Sequence, residues 1–105
     1  MNKTNNKNLE KYLVEFLGTL IFLTAILNAG NLKPMVDPAI SIAAALAIVI
    51  FVGGGISGGH FNPAVSTMMY MDEKLSLMDY VAYVGAQILG GILALVFHRQ
   101  VKQRS

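Results

Sequence analysis

Ser57-Gly58-Gly59-His60-Phe61-Asn62-Pro63-Ala64-Val65 closes a long apolar run and occurs once in this chain of 105 residues. Asn62 is a residue type that caps helices, and proline suits the first helical position, so a helix starts where the apolar run has just ended in glycines. The apolar segment that follows, 64–71, is far too short to cross a bilayer, which takes about 20 residues. A short helix whose amino end points back toward the membrane centre is a device for handling polar solutes at depth, and such half-helices work in opposed pairs. One copy is half of such an arrangement.

The chain around this segment is 54% hydrophobic and only 13% charged, with a mean hydropathy of +0.55. A soluble domain carries about a quarter charged residues. The charges cluster at 3–11, 33–37, 72–79 and 99–104, leaving three apolar stretches at roughly 9–29, 39–56 and 77–97. Each is close to the length a membrane-crossing helix needs. The expected fold is all-α and integral to the membrane: three transmembrane helices plus one re-entrant half-helix. The expected organisation is a disordered polar lead over 1–8, a membrane domain over 9–98 and a basic tail over 99–105, held among the lipids of the cell membrane.

A cleaved signal peptide is the competing reading of the first stretch, but Glu15 interrupts its apolar centre, Leu27-Asn28-Ala29 is a poor cleavage site, and two more spans follow. The absence of cysteine rules out a disulfide, a thiolate metal site and a cysteine nucleophile. A net charge of +2, placed at the two ends, speaks for membrane orientation rather than nucleic-acid binding. There is no nucleophile–base pair, no metal-ligand cluster and no phosphate loop, so neither an enzyme nor a bound cofactor is expected.

Local signals refine the spans. Gly18, Thr19 and Thr24 allow close helix contact in the first. Asp37 can cap the second, with Pro38 at its first position. That helix is dense in alanine, which suits packing on several sides, and Gly53-Gly54-Gly55 is expected to loosen it into the quoted segment. In the third span Ala86 and Gly90 have small-xxx-small spacing, and Tyr80 and Tyr83 stand at its entry as interfacial aromatics do. The methionines at 68, 69, 71 and 78 read as filler of core and interfaces.

A helix from Pro63 to Tyr70 would be about 12 Å long, placing its free N–H groups and positive dipole end near the bilayer centre. Irregular backbone at that depth must be buried in protein or line a watery cavity, so the carbonyls of Gly58, Gly59, His60 and Phe61 should face one. Asn62 would cap with its carbonyl oxygen and keep its amide NH₂ free to donate. An ordinary loop-to-helix cap outside the membrane is the competing reading of Asn62-Pro63-Ala64. Glu15 and Gln87 would be costly facing lipid. Both are expected to hold the backbone of 58–61 through its N–H groups, against the simpler alternatives of a snorkelling Glu15 and a plain interhelical hydrogen bond from Gln87. His60 reads as structural, with proton carriage as the alternative.

These residues together resemble the amino-terminal half of the aquaporin and glycerol-facilitator (major intrinsic protein) family. The carriers are Glu15-Phe16-Leu17-Gly18-Thr19, the quoted segment, and Tyr83 with Ala86-Gln87-Ile88-Leu89-Gly90, in that order over roughly 12–97. The resemblance implies two such halves, inverted relative to each other, whose half-helices meet at mid-membrane. It implies that Asn62 donates to water or glycerol hydroxyls while carbonyls near 58–61 accept from them, and that opposed dipoles repel protons and other cations. It extends the pore wall to Pro63, Ala64, Val65 and Ile42.

The chain also departs from that pattern. The family's second motif is followed by an arginine that narrows the outer mouth, and here Val65 follows the motif. Ile42, twenty residues before Asn62, stands where the family usually has a bulky aromatic, which weakens any expectation of water-only selectivity. Three spans enclose no pore. Lys3, Lys7, Lys11 and Lys74 fall on one side of the expected topology and Lys33, Arg99, Lys102 and Arg104 on the other. Four against four gives the positive-inside rule nothing to act on. A chain without orientation bias can insert both ways, and an antiparallel homo-oligomer would recreate the inverted repeat. The expected function is a passive channel for water or a small neutral solute, with a non-transporting fragment, or a subunit for a separate second half, as the alternative.

Overall fold

The computed structural model describes residues 3–104. Its elements are α1 (Lys3–Asn28), a single 3₁₀ turn (Ala29–Leu32), α2 (Pro38–Ser57), α3 (Pro63–Met71) and α4 (Leu77–Arg104). At 1.5 Å per residue, α1, α2 and α4 are about 39, 30 and 42 Å long, and α3 only about 13 Å. The three longer helices are long and apolar enough to cross a membrane.

α1 is the central element, with α2 packed on one side and α4 on the other, while α3 packs on α4. α1 and α4 run in the same direction. Lys11 Nζ and Tyr12 OH in the third turn of α1 both donate to the Asp79 carboxylate in the first turn of α4, each over 2.6 Å. Farther along, Gly90 lies against the α1 backbone, where an added Cβ would stand 2.8 Å from Phe16 O. α2 returns antiparallel, and its last residue, Ser57, is bonded to Glu15 in α1.

α2 buries only Val49, Gly53 and Ser57, residues four apart that form one stripe along its contact with α1. The remaining surface is apolar and outward, with Phe51 90% exposed. That is a helix for lipid or for another chain, not one packed on several sides.

Three expectations change. The polar lead is helical from Lys3 onward, because extending an existing helix adds one hydrogen bond per residue fixed, with no new nucleation cost; Met1 and Asn2 lie outside the described residues. The basic tail, for which no conformation was expected, continues α4 to Arg104, and Ser105 lies outside the described residues. Gly53-Gly54-Gly55 does not loosen α2, which runs through to Ser57. Gly53 serves close packing instead, since a Cβ there would stand 2.7 Å from Val14 Cγ1. Tyr83 is not at an interface but in the core, 1% exposed.

Candidate functional site

The helix break falls at Gly58, whose φ of +91° is followed by +68° at Gly59, a left-handed conformation that glycine adopts without steric cost. The chain between α2 and α3 thereby folds back on itself, and Glu15 holds the fold. Its Oε1 accepts from Phe61 N over 2.7 Å and its Oε2 from His60 N over 3.0 Å. Ser57 Oγ donates to Oε2 over 2.8 Å and Gln87 Nε2 to Oε1 over 2.8 Å. Four donors saturate a carboxylate that is wholly enclosed, at 0% exposure. A buried carboxylate is tolerable only with such compensation.

Gln87 does not reach the loop's N–H groups. Its side-chain amide can only donate through nitrogen, and it donates to Glu15 and to Ser66 Oγ, the latter over 2.9 Å. Ser66 Oγ in turn lies 2.9 Å from His60 Nδ1. The ring of His60 meets that of Tyr83 edge-on at 5.0 Å between centroids, and Tyr83 OH donates to Ser57 O over 2.6 Å. His60 is thus fixed on both its ring and its backbone.

The loop is polar in one direction only. Gly58 N donates to Gly54 O, Gly59 N to Ser57 Oγ, and the N–H groups of His60 and Phe61 to Glu15. Among the described residues nothing donates to the carbonyls of Gly58, Gly59, His60 or Phe61. Asn62 then starts α3 in extended conformation, φ −162° and ψ 125°, with Oδ1 accepting from Ala64 N over 2.8 Å and Pro63 in the first turn. Asn62 Nδ2 has no acceptor among the described residues, and Asn62, Pro63 and Ala64 are exposed. Val65 is half-buried. The end of α3 opens into a cleft of about 590 Å³ that Thr19, Phe61, Asn62, Pro63 and Gln87 help to line.

Ile42 is not part of this cluster. It lies in the second turn of α2, half-buried, about 22 Å along the helix from Ser57 at 1.5 Å per residue. Glu15, 58–64 and Gln87 are brought together. Three supports escaped the sequence reading: Ser57, Ser66 and Tyr83. Tyr83 carried a signal, since Tyr83, Gln87, Gly90 and Ala94, the buried residues of α4, repeat at helical spacing on one face. Ser57 and Ser66 carried none, because a serine in either place could as well have faced outward.

The fold and this loop define an all-helical integral membrane protein with the architecture of half an aquaporin. The sequence matches the major intrinsic protein family over residues 2–105, and the chain belongs to that family, whose members are channels rather than enzymes. It is 44% identical over 93 residues to glycerol uptake facilitator protein-like 6 of Lactiplantibacillus plantarum, covering 82% of this chain and 41% of that protein. It is 38% identical over 89 residues to human aquaporin-9, covering 77% and 30%. It is 37% identical over 86 residues to an aquaglyceroporin of Toxoplasma gondii, covering 80% and 33%. The matched region is therefore less than half the length of each of these relatives.

Proposed function

We propose that two copies of this chain, inserted in opposite directions, pair to form one passive channel in the cell membrane for water or a small neutral solute such as glycerol. The observation that carries the reading is the one-sided polarity of 58–62: the N–H groups of Gly58 to Phe61 are satisfied within the fold, and their carbonyls and the Asn62 amide are not. Such a segment offers acceptors and a donor to a hydrogen-bonding solute without offering it a charge. In this reading Asn62 donates to the solute, while Gly58, Gly59, His60 and Phe61 contribute carbonyls. Pro63, Ala64 and Val65 continue the wall, Ile42 lines it farther along, and Glu15 and Gln87 support the loop. α3 acts as a re-entrant half-helix whose positive end lies at the pore centre, opposed there by its copy, so that cations are repelled.

The even division of lysines and arginines between the two sides supports insertion both ways. The relatives, named as a glycerol uptake facilitator, an aquaporin and an aquaglyceroporin, support a neutral solute. Their greater length also favours a second reading, in which this chain is a membrane fragment without transport of its own or a subunit completed by a separate second half.

Osmotic shrinkage of vesicles reconstituted with the chain, run beside a proton-flux dye, tests the proposal. Shrinkage faster than in empty vesicles, without proton leak and with both termini labelled from both faces, is the expected result. No shrinkage above empty vesicles removes the self-sufficient channel. A single fixed orientation removes antiparallel pairing and leaves the second reading.

A further inference from the structure

Phe61 is the only non-glycine residue between α2 and α3 with positive φ, at +52°, a conformation an L side chain with a ring rarely adopts. Glu15 holds its N–H, but one hydrogen bond on one side of the residue does not fix the torsion that follows it. The ring does. It is 2% exposed and fills a slot that exists because two helices lack a side chain at the same place. A Cβ on Gly18 of α1 would overlap Phe61 Cε1 and stand 2.6 Å from both Cδ1 and Cζ. A Cβ on Gly53 of α2 would stand 3.3 Å from Cζ. The Gly18 contacts are closer than real carbon atoms come, so Gly18 cannot be enlarged while the ring stays, and the contact at Gly53 is tight enough that the ring would have to give by a few tenths of an ångström. Asn62 follows directly, and its cap bond to Ala64 ties it to α3 but not to α1 or α2.

We infer that Phe61 is a positioning residue: its ring, pegged between Gly18 and Gly53, sets where the Asn62 amide stands and which way the Phe61 carbonyl points. This deepens the channel reading and rests on it for its consequence, though not for its geometry. With the peg withdrawn, φ relaxes to negative values, the peptide between Phe61 and Asn62 turns, and the donor and acceptor no longer address the same solute. Gly18 and Gly53 are the two halves of the socket.

The chain has no cysteine, so Asn62→Cys supplies a single thiol whose rate of modification by a small maleimide reports the loop's position without requiring transport. In reconstituted full-length chain carrying Asn62→Cys, adding Gly18→Ala is expected to change that rate several-fold, because such a site keeps its geometry to within about 0.5 Å only while its support is packed. Adding Phe61→Leu to Gly18→Ala, which shortens the peg to fit the narrowed socket, is expected to bring the rate back toward that of the Gly18 chain. The same pair of substitutions on the Asn62 background should lower vesicle shrinkage and then recover it. Phe61→Ala serves as a second variant, crowding nothing, and should shift the labelling rate on its own even where Gly18→Ala chain does not insert. An unchanged rate in Phe61→Ala, or a double variant no nearer the Gly18 rate than Gly18→Ala alone, overturns the inference. Labelling that shifts and recovers in a chain with no shrinkage in any variant leaves the peg standing and removes the channel.

Discussion

Two helices in this molecule begin with the same chemistry. Asp37-Pro38-Ala39 opens α2 and Asn62-Pro63-Ala64 opens α3. In each the capping oxygen Oδ1 accepts from the backbone N of the alanine over 2.8 Å, and in each the proline occupies the first turn. One introduces a helix of 20 residues and the other a helix of nine. The cap is therefore not what makes a site. What differs is the second half of the side chain, a carboxylate oxygen in one and an amide donor in the other. The approach differs too. Asp37 follows an exposed turn, whereas Asn62 follows a loop whose N–H groups are taken up by a buried carboxylate from another helix.

The two helix starts differ most in their dependence on Glu15, which serves only the second. Glu15→Ala strands the N–H groups of His60 and Phe61 in a buried place and leaves Ser57 and Gln87 without their shared acceptor. Each unsatisfied buried group costs about 1–3 kcal/mol, so the two backbone N–H groups alone predict a loss of several kcal/mol. Unfolding in a detergent titration measures it, and a loss below about 1 kcal/mol would contradict the role given to this carboxylate. No substitution around Asp37 has such a reservoir to draw on.

Asn62→Asp makes the two caps chemically alike and so isolates the donor. Aspartate caps as well as asparagine, and a negative charge at a helix start is favourable, so stability should stay within about 0.5 kcal/mol. A solute bound as proposed, however, loses the donor that the Asn62 amide would offer it. A net contribution of about 0.5–1.5 kcal/mol per bond corresponds to a permeability fall of up to about tenfold. The added charge should also weaken the positive barrier proposed for the pore centre and raise cation leak. Shrinkage and ion flux measured on the same vesicles check both, and unchanged ion exclusion would count against a barrier centred on the end of α3.

The sequence made the outer frame legible because the frame follows from composition. Three apolar stretches between charge clusters became three long helices, and Asp37, Pro38, Asn62 and Pro63 marked two helix starts that the structure keeps. Glu15 and Gln87 stood out because a polar group inside an apolar run must have a partner. Their division of labour did not, since the direct hold falls to Glu15 alone and Gln87 works by fixing Glu15 and Ser66. The glycines misled for a related reason. A run of three reads as a weak point in an isolated helix, yet Gly53 is there because Val14 and Phe61 press against it. The three-dimensional partner decides whether a small residue loosens a helix or tightens a contact. The polar lead misled as well, because Lys, Asn and Thr carry no signal against continuing a helix already begun.

The smallest expected effect comes from the other cap. Asp37→Ala removes an oxygen that serves one backbone N–H in an exposed turn. Loss of a helix cap costs about 0.5–2 kcal/mol, with peptide-like exposed cases at the low end, and water can take over the freed N–H at this surface. The start of α2 should fray without disturbing Ser57, which lies about 30 Å away at the other end of the helix. The expected outcome is a slightly lower unfolding midpoint in detergent together with vesicle shrinkage like that of the parent chain. A permeability loss as large as that of Asn62→Asp would mean that the two helix starts are coupled through α2, and that the short helix owes its position to the whole of the long one rather than to Glu15 and the residues around it.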